Sequence, residues 1–299
     1  LPSDGTLSIG ELAARAGTTV KTIRFYSDQG LLPETARSGG GHRRYGPDAL
    51  ARLRTIRSLR SLDVPVPEIK RVLDSGDGLE AVVARRLDDL GTQLAALRWR
   101  EAALRALQES DPDQVAERLE LIGAVGVPPS TAALDRYWRR LLPVRLSARL
   151  RSRITEAAVP PLPADPGTDQ VLAFARLHAL ATAATDHCLA SHRPVTVAHP
   201  DLLYDGLREA HDLVDAAVRA GTPPAPGEAL DCYVAAHARA AGTRDTPAFR
   251  RALTVRLAAE DHPVMRRYWR LAGELADAPT LGAADAWLRE ALTASTATD

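Results

Sequence analysis

The stretch that decides the fold runs Leu7-Ser8-Ile9-Gly10-Glu11-Leu12-Ala13, then Thr18-Thr19-Val20-Lys21-Thr22-Ile23-Arg24-Phe25-Tyr26, then Gly30-Leu31-Leu32-Pro33. Ser8 with Glu11 three residues on is a capping box, in which hydroxyl and carboxylate each satisfy an unpaired helix N–H. Leu12, Ala13 and Ala16 continue one apolar face, and Gly17 supplies the stop. Thr18-Thr19 can cap a second helix from Val20 to about Gln29, ending at Gly30. Two short helices joined through a glycine turn form a helix-turn-helix. Thr19, Lys21, Thr22, Arg24 and Tyr26 fall on the N-terminal and outward positions of the second helix. Such a helix fits a DNA major groove, where Lys and Thr reach base edges while Arg and Tyr hold phosphates. The competing reading is a merely solvated surface over a core of Val20, Ile23 and Phe25.

Working outward, three successive glycines (Gly39 to Gly41) precede His42-Arg43-Arg44-Tyr45. This reads as a short β-hairpin whose glycines supply positive φ angles. Pro47 suits the first turn of a third helix reaching about Leu62, with Leu50, Leu53, Ile56 and Leu59 on one stripe and Arg54, Arg57 and Arg60 on another. Pro65 and Pro67 separate it from a fourth helix, Glu68 to Leu73, and Ser75 to Gly78 read as a linker. A long proline-free helix follows from Leu79 to Leu107. Leu87, Leu90, Leu94, Leu97 and Leu104 fit heptad positions, with Glu101 as a polar interruption. Periodicity alone leaves open a dimer seam or a helix packed into its own domain.

Charge singles out the same end of the chain. The 299 residues carry no net charge, yet ten basic residues between Arg15 and Arg60 oppose only Asp28, Glu34 and Asp48, giving +7 there and −7 elsewhere. A compact basic block suggests a polyanion partner. Hydrophobic residues at 45% and charged residues at 25% match a globular chain and exclude a largely disordered one. No apolar run is long enough to span a membrane. Leu1 to Gly5 lack the basic and apolar regions of a secretory signal. Two cysteines, Cys188 and Cys232, cannot build a disulfide framework, so the expected setting is a reducing cytoplasm.

The linked motifs, with Gly41-His42-Arg43-Arg44-Tyr45 and Glu68-Ile69 in the same order and spacing, resemble the MerR family of transcription regulators over about residues 7 to 74. The long helix to Leu107 stands where that family has one. The resemblance implies a mainly α protein: a winged helix-turn-helix with a β-hairpin wing (1–76), a long antiparallel coiled-coil dimerisation helix (77–109) and an all-α effector domain (110–299). By the motif match, Arg43 and Tyr45 would be wing contacts with Arg44 beside them. Arg24 and Tyr26 would lie near phosphates, and Arg57 would support a second backbone grip. The implied partners are double-stranded promoter DNA, a second copy of the chain and RNA polymerase at the promoter. Family members bind a palindrome in an overlong promoter spacer and distort it when an effector binds, which is indirect readout. At Asp63-Val64-Pro65-Val66-Pro67 the family usually has a glycine-containing turn, so a stiffer turn of equal length is expected here.

From Asp111 onward, proline and glycine breaks imply about seven or eight helices, with no phosphate loop or hydrolase motif among them. Metal-sensing relatives carry cysteines at the end of the dimer helix, whereas no cysteine here precedes Cys188, so no cofactor or thiolate metal site is expected. Cys188 and His192 share a helical spacing, but zinc needs further ligands and a buried Cys beside a bonded His is the simpler account. Asp231-Cys232 with His237 has no flanking nucleophile signature, so an enzyme is not expected. Arg136-Tyr137-Trp138-Arg139 echoes Arg267-Tyr268-Trp269-Arg270 in a chain with only 13 aromatic residues. Tyr137, Trp138, Tyr268 and Trp269 are therefore the candidate lining of a site for a small apolar or aromatic effector, against the alternative that they fill a core. Three functions remain open for this region: sensing a small molecule, binding a protein partner, or housing an enzyme or metal module.

Overall fold

The computed structural model describes residues 5–75, 78–127, 129–143, 145–184 and 198–297. They form two compact units, Leu1–Gln93 and Leu94–Asp299.

In the first unit, β1 (Leu7–Ser8) leads into α1 (Ile9–Ala16), followed by α2 (Val20–Asp28), β2 (Ala36–Arg37), β3 (Arg43–Tyr45), α3 (Ala49–Ser61), α4 (Val66–Ser75) and the start of α5 (Leu79–Gln108). The capping box forms as expected: Glu11 N donates to Ser8 Oγ at 3.2 Å and Ser8 N to Glu11 Oε2 at 2.7 Å. Gly17 closes α1 in the left-handed conformation (φ 58°), which any Cβ would disfavour. Thr19 caps α2, accepting from Thr22 N at 3.1 Å. The wing has a third strand that the sequence reading missed. The order is β1-β3-β2, all antiparallel, with Leu7 opposite Tyr45 and Ala36 opposite Arg44. Two-residue strands carry too little alternation to be read as strands. Of the wing glycines only Gly41 has positive φ (77°), so a single left-handed residue makes the turn.

Helix α3 starts at Ala49, two residues beyond Pro47, and buries Leu53, Ile56 and Leu59. Helix α4 begins at Val66 rather than Glu68 because the Pro65 carbonyl already accepts from Glu68 N and Ile69 N. The turn between them contains Asp63 at φ 57°, so an aspartate occupies the left-handed position that glycine favours. The core joins Leu12, Ile23, Leu31, Leu53, Ile56 and Ile69 beneath the sheet.

The second unit takes the C-terminal half of α5, then α6 (Val115–Gly123), α7 (Ala132–Leu141), α8 (Ala148–Ala158), α9 (Thr168–Ala183), α10 (Pro200–Arg219), α11 (Glu228–Ala240), α12 (Pro247–Ala259), α13 (Pro263–Leu275) and α14 (Leu281–Ala297). Past α5 these are nine α-helices among the described residues, against the seven or eight implied by the breaks. The difference lies near Pro143, which has no N–H to continue a helix and separates α7 from α8. Prolines open α10, α12 and α13, the position where a missing N–H costs nothing. One core packs α5, α7, α8, α9 and α13 around Phe174 and Leu177; a second packs α10, α11, α12 and α14 around Tyr233 and Leu288. Along the long helix, Val82 belongs to the first core, while Trp99 and Ala102 belong to the core containing Phe174.

Candidate nucleic-acid interface

The basic residues of the first unit separate into those already committed and those left over. Arg43 pairs with Asp28 at 2.7 Å and Glu34 at 3.4 Å, and Arg37 pairs with Glu34 at 2.9 Å. Arg52 donates to Leu31 O at 2.6 Å and to Asp74 at 2.9 Å, tying α3 to the loop before the wing and to α4. Arg57 donates to Ala16 O, the carbonyl end of α1, where a cation also complements the helix dipole. Arg60 donates to Val64 O at 2.8 Å. Arg15, Lys21, Arg24 and Arg54 are exposed and have no hydrogen bond or ion pair among the described residues. Arg44, partly exposed on the wing, has only a loose 3.8 Å contact with Glu11.

Several expected contact residues are buried or already bonded within the first unit. Tyr45 cannot grip a backbone from the wing, because its side chain is fully buried in the core. Alternation along β3 explains this: Arg43 and Tyr45 share a face, and Arg44 takes the other. Arg43 consequently lies against Asp28 and Glu34, and Arg57 fastens α1 to α3 through one of its nitrogens. Tyr26, expected near phosphates, is 8% exposed and packs in the core with Ile23, while Phe25, which the competing reading put in the core, is 48% exposed. The sequence could not separate these adjacent aromatics, because both are compatible with either face. Thr19 and Thr22 bond to each other at 2.9 Å as part of the α2 cap, so Thr19 is a structural residue as well as a surface one. Lys21 and Arg24 are exposed on α2. Arg15 and Arg54, not among the contact candidates, are exposed too; the basic block marked both, and the arginine stripe of the third helix also marked Arg54.

The four candidate effector residues do meet, but as core. Tyr137 stacks on Tyr268 at 5.7 Å with planes 10° apart, and Trp138 lies 5.4 Å from Tyr268 and 5.3 Å from Trp269. Tyr268 donates to Ala158 O at 3.0 Å, and Tyr137 to Met265 Sδ at 3.3 Å. The two Arg-Tyr-Trp-Arg segments thus pack against each other from α7 and α13. Of the four, Tyr137 lines a cavity. That cavity, about 380 Å³, lies among α6, α7, α9 and α13.

The other chemical candidates fare differently. Cys188 and His192 lie outside the described residues. The Cys232 thiol donates weakly to Gly206 O at 3.8 Å, and burial pushes its pKa up, the reverse of nucleophile activation. His237 is buried and bonded to Arg256 at 3.1 Å; burial first, then the Arg256 charge, pushes its pKa down to about 4. No group of three or more His, Cys, Asp or Glu among the described residues is arranged to hold a metal. No helix among them is long and apolar enough to cross a membrane.

Residues 7–76 match the family model described as MerR HTH family regulatory protein. The HTH-type transcriptional regulator ZntR homolog of Haemophilus influenzae is 35% identical over 109 residues, 33% of this chain and 81% of that protein. Nodulation protein NolA of Bradyrhizobium sp. (strain NC92) is 32% identical over 146 residues, 44% of this chain, which spans 62% of that protein's length. The HTH-type transcriptional activator TipA of Streptomyces coelicolor is 36% identical over 104 residues, 34% of this chain and 41% of that protein. ZntR homolog and TipA are named as regulators of transcription rather than enzymes. With its motifs, its three-stranded wing and the ZntR homolog matched over most of its length, the chain belongs to the MerR family of helix-turn-helix regulatory proteins.

Proposed function

We propose that this protein is a cytoplasmic transcription regulator that binds a promoter palindrome as a homodimer. A small molecule in the helical unit then alters the twist it imposes on the DNA. The observation that carries the DNA part is the surface of α1, α2 and α3, where Arg15, Lys21, Arg24 and Arg54 remain exposed with no hydrogen bond or ion pair among the described residues. Exposed Phe25 adds an apolar surface suited to a thymine methyl. Arg44 and His42 supply the outward side of the wing.

Support for the dimer comes from α5. Leu87, Leu90, Leu94, Leu97 and Leu104 are all 48% exposed or more in the single chain, while Trp99 and Ala102 bury the opposite face. A row of leucines at heptad spacing left in water is stable when a second helix covers it. Support for an effector comes from the cavity beside Tyr137, whose volume lies within the roughly 300–1,000 Å³ of small-molecule sites. A ligand that fits one conformer better than another shifts the DNA-distorting equilibrium by its difference in affinity.

Selection of bound sequences from a random DNA pool tests the reading. A palindrome whose half-sites are protected symmetrically in footprints is expected. The variant Leu90→Glu with Leu94→Glu should sediment as a monomer and lose the palindrome. A wild-type monomer, or binding indifferent to sequence, would reject the proposal.

A further inference from the structure

We infer that the cavity among α6, α7, α9 and α13 takes a compact organic anion, a carboxylate carried on an aryl or alkyl body. This rests on reading the helical unit as an effector domain and specifies the chemistry of its ligand.

The wall is mainly apolar, built from Leu121, Leu180 and Val264 together with the alanines of α9. Set into it are two guanidiniums, Arg176 and Arg267, and one carboxylate, Glu117. Neither arginine has an ion pair or hydrogen bond among the described residues, whereas other arginines of this unit are well matched. Arg250 holds Asp245 and Asp231 at 2.6 and 2.7 Å, and Arg289 holds Asp285 at 2.5 Å. Arg176 is also an unusual residue for its place. It stands half-buried on α9 between Ala175 and Leu177, which are 1% and 0% exposed, and lines the cavity together with Leu180 and Ala183 of the same helix.

A guanidinium beside an apolar wall is weakly hydrated and offers a planar fork of donors that matches a carboxylate. Two of them against one Glu117 leave the cavity with an excess of one positive charge. A cationic ligand meets repulsion there, and a neutral one offers no acceptor to the half-buried Arg176, whereas Arg267 is exposed to water. An anion with an apolar body satisfies the donors and covers the leucine and valine wall at once.

Isothermal titration of the full chain with decanoate, 1-naphthoate, decanol and decyltrimethylammonium, all below their micelle concentrations, tests this. At least one of the two anions should bind ten times or more tighter than the alcohol and the ammonium. Arg176→Gln and Arg267→Gln should each weaken that anion about tenfold, as expected for loss of a hydrogen bond to a charged group. Glu117→Gln should tighten it. Circular dichroism and the affinity of each variant for the selected palindrome report on folding. Equal binding of the alcohol or the ammonium, unchanged affinity in both arginine variants, or binding by neither anion would overturn the assignment. The effector reading fails separately: an anion that binds as expected yet leaves DNA distortion unchanged, measured by cleavage reagents sensitive to unwinding, keeps the site and removes its regulatory role.

Discussion

Arg24→Ala and Arg43→Ala are predicted to differ in how salt affects DNA binding, although both remove one positive charge. Arg24 is exposed with no hydrogen bond or ion pair among the described residues, whereas Arg43 is held by Asp28 at 2.7 Å and Glu34 at 3.4 Å. Each phosphate contact contributes about 0.9 to the slope of log affinity against log salt, through release of condensed counterions. Two Arg24 side chains per dimer therefore account for a slope of about 1.8. Over a fourfold change in salt, from about 50 to about 200 mM, that slope amounts to roughly a twelvefold change in affinity. The Arg24→Ala dimer should lose this increment and bind weakly at low salt, with its fold intact. Arg43→Ala should keep the wild-type slope and instead lower unfolding stability by about 1 kcal/mol or less, the usual worth of partly exposed ion pairs. Fluorescence anisotropy with a labelled palindrome over a salt series, alongside urea melts, reads both effects. An Arg43→Ala slope reduced as much as that of Arg24→Ala would show that the Asp28 and Glu34 pairs open on DNA. Deriving the phosphate contacts from free-state pairing would then be refuted.

Further expectations concern stability. His237 titrates at about 4 in the folded chain against 6.5 for an ordinary histidine, under burial and the charge of Arg256, with Asp285 opposing and Arg289 adding. A depressed histidine stabilises the fold above its unfolded pKa and loses that contribution as pH falls from about 6.5 towards 4, by roughly 3 kcal/mol at most. His211 and His178 are shifted the same way by burial, and the raised Glu260 opposes them. Urea midpoints should therefore drop across that window, and a His237→Gln variant with an equally steep drop would contradict the assignment. Gly206 lets α10 approach α11 closely: a Cβ there would lie 2.5 Å from the Ala236 Cβ. Gly206→Ala should cost about 1–3 kcal/mol by overpacking, and an unchanged thermal midpoint would mean that the helices part without penalty. Asp63→Gly relieves a left-handed aspartate and should raise the stability of the first unit by about 0.5 kcal/mol, after glycine's own entropy cost. A fall in the urea midpoint would show that the Asp63 side chain compensates for its backbone.

The sequence by itself determined the parts of this protein that local rules govern. Ser8 and Glu11, Gly17 and Thr19 mark helix ends whose bonding partners lie three or four residues away, so α1 and α2 were legible without tertiary information. The same holds for the breaks at Pro200 and Pro263, prolines that open α10 and α13. The heptad leucines of α5 could be read as a periodic stripe, and the basic block as an electrostatic end. Only the tertiary structure decided which of those cations are spoken for. Arg43 meets Asp28 across the turn from α2 to the wing, and Arg57 meets Ala16 across 41 residues, distances over which sequence spacing carries no information. It also decided that Tyr45 and Tyr26 face inward while Phe25 faces out, because burial depends on which other elements close over a side chain. The echoed Arg-Tyr-Trp-Arg segments show both sides of this. Their pairing was visible as a repeat, but a stacked core and a ligand wall use the same aromatic residues. Only the packing of α7 on α13, with α9 placing Arg176 beside an open volume, tells them apart.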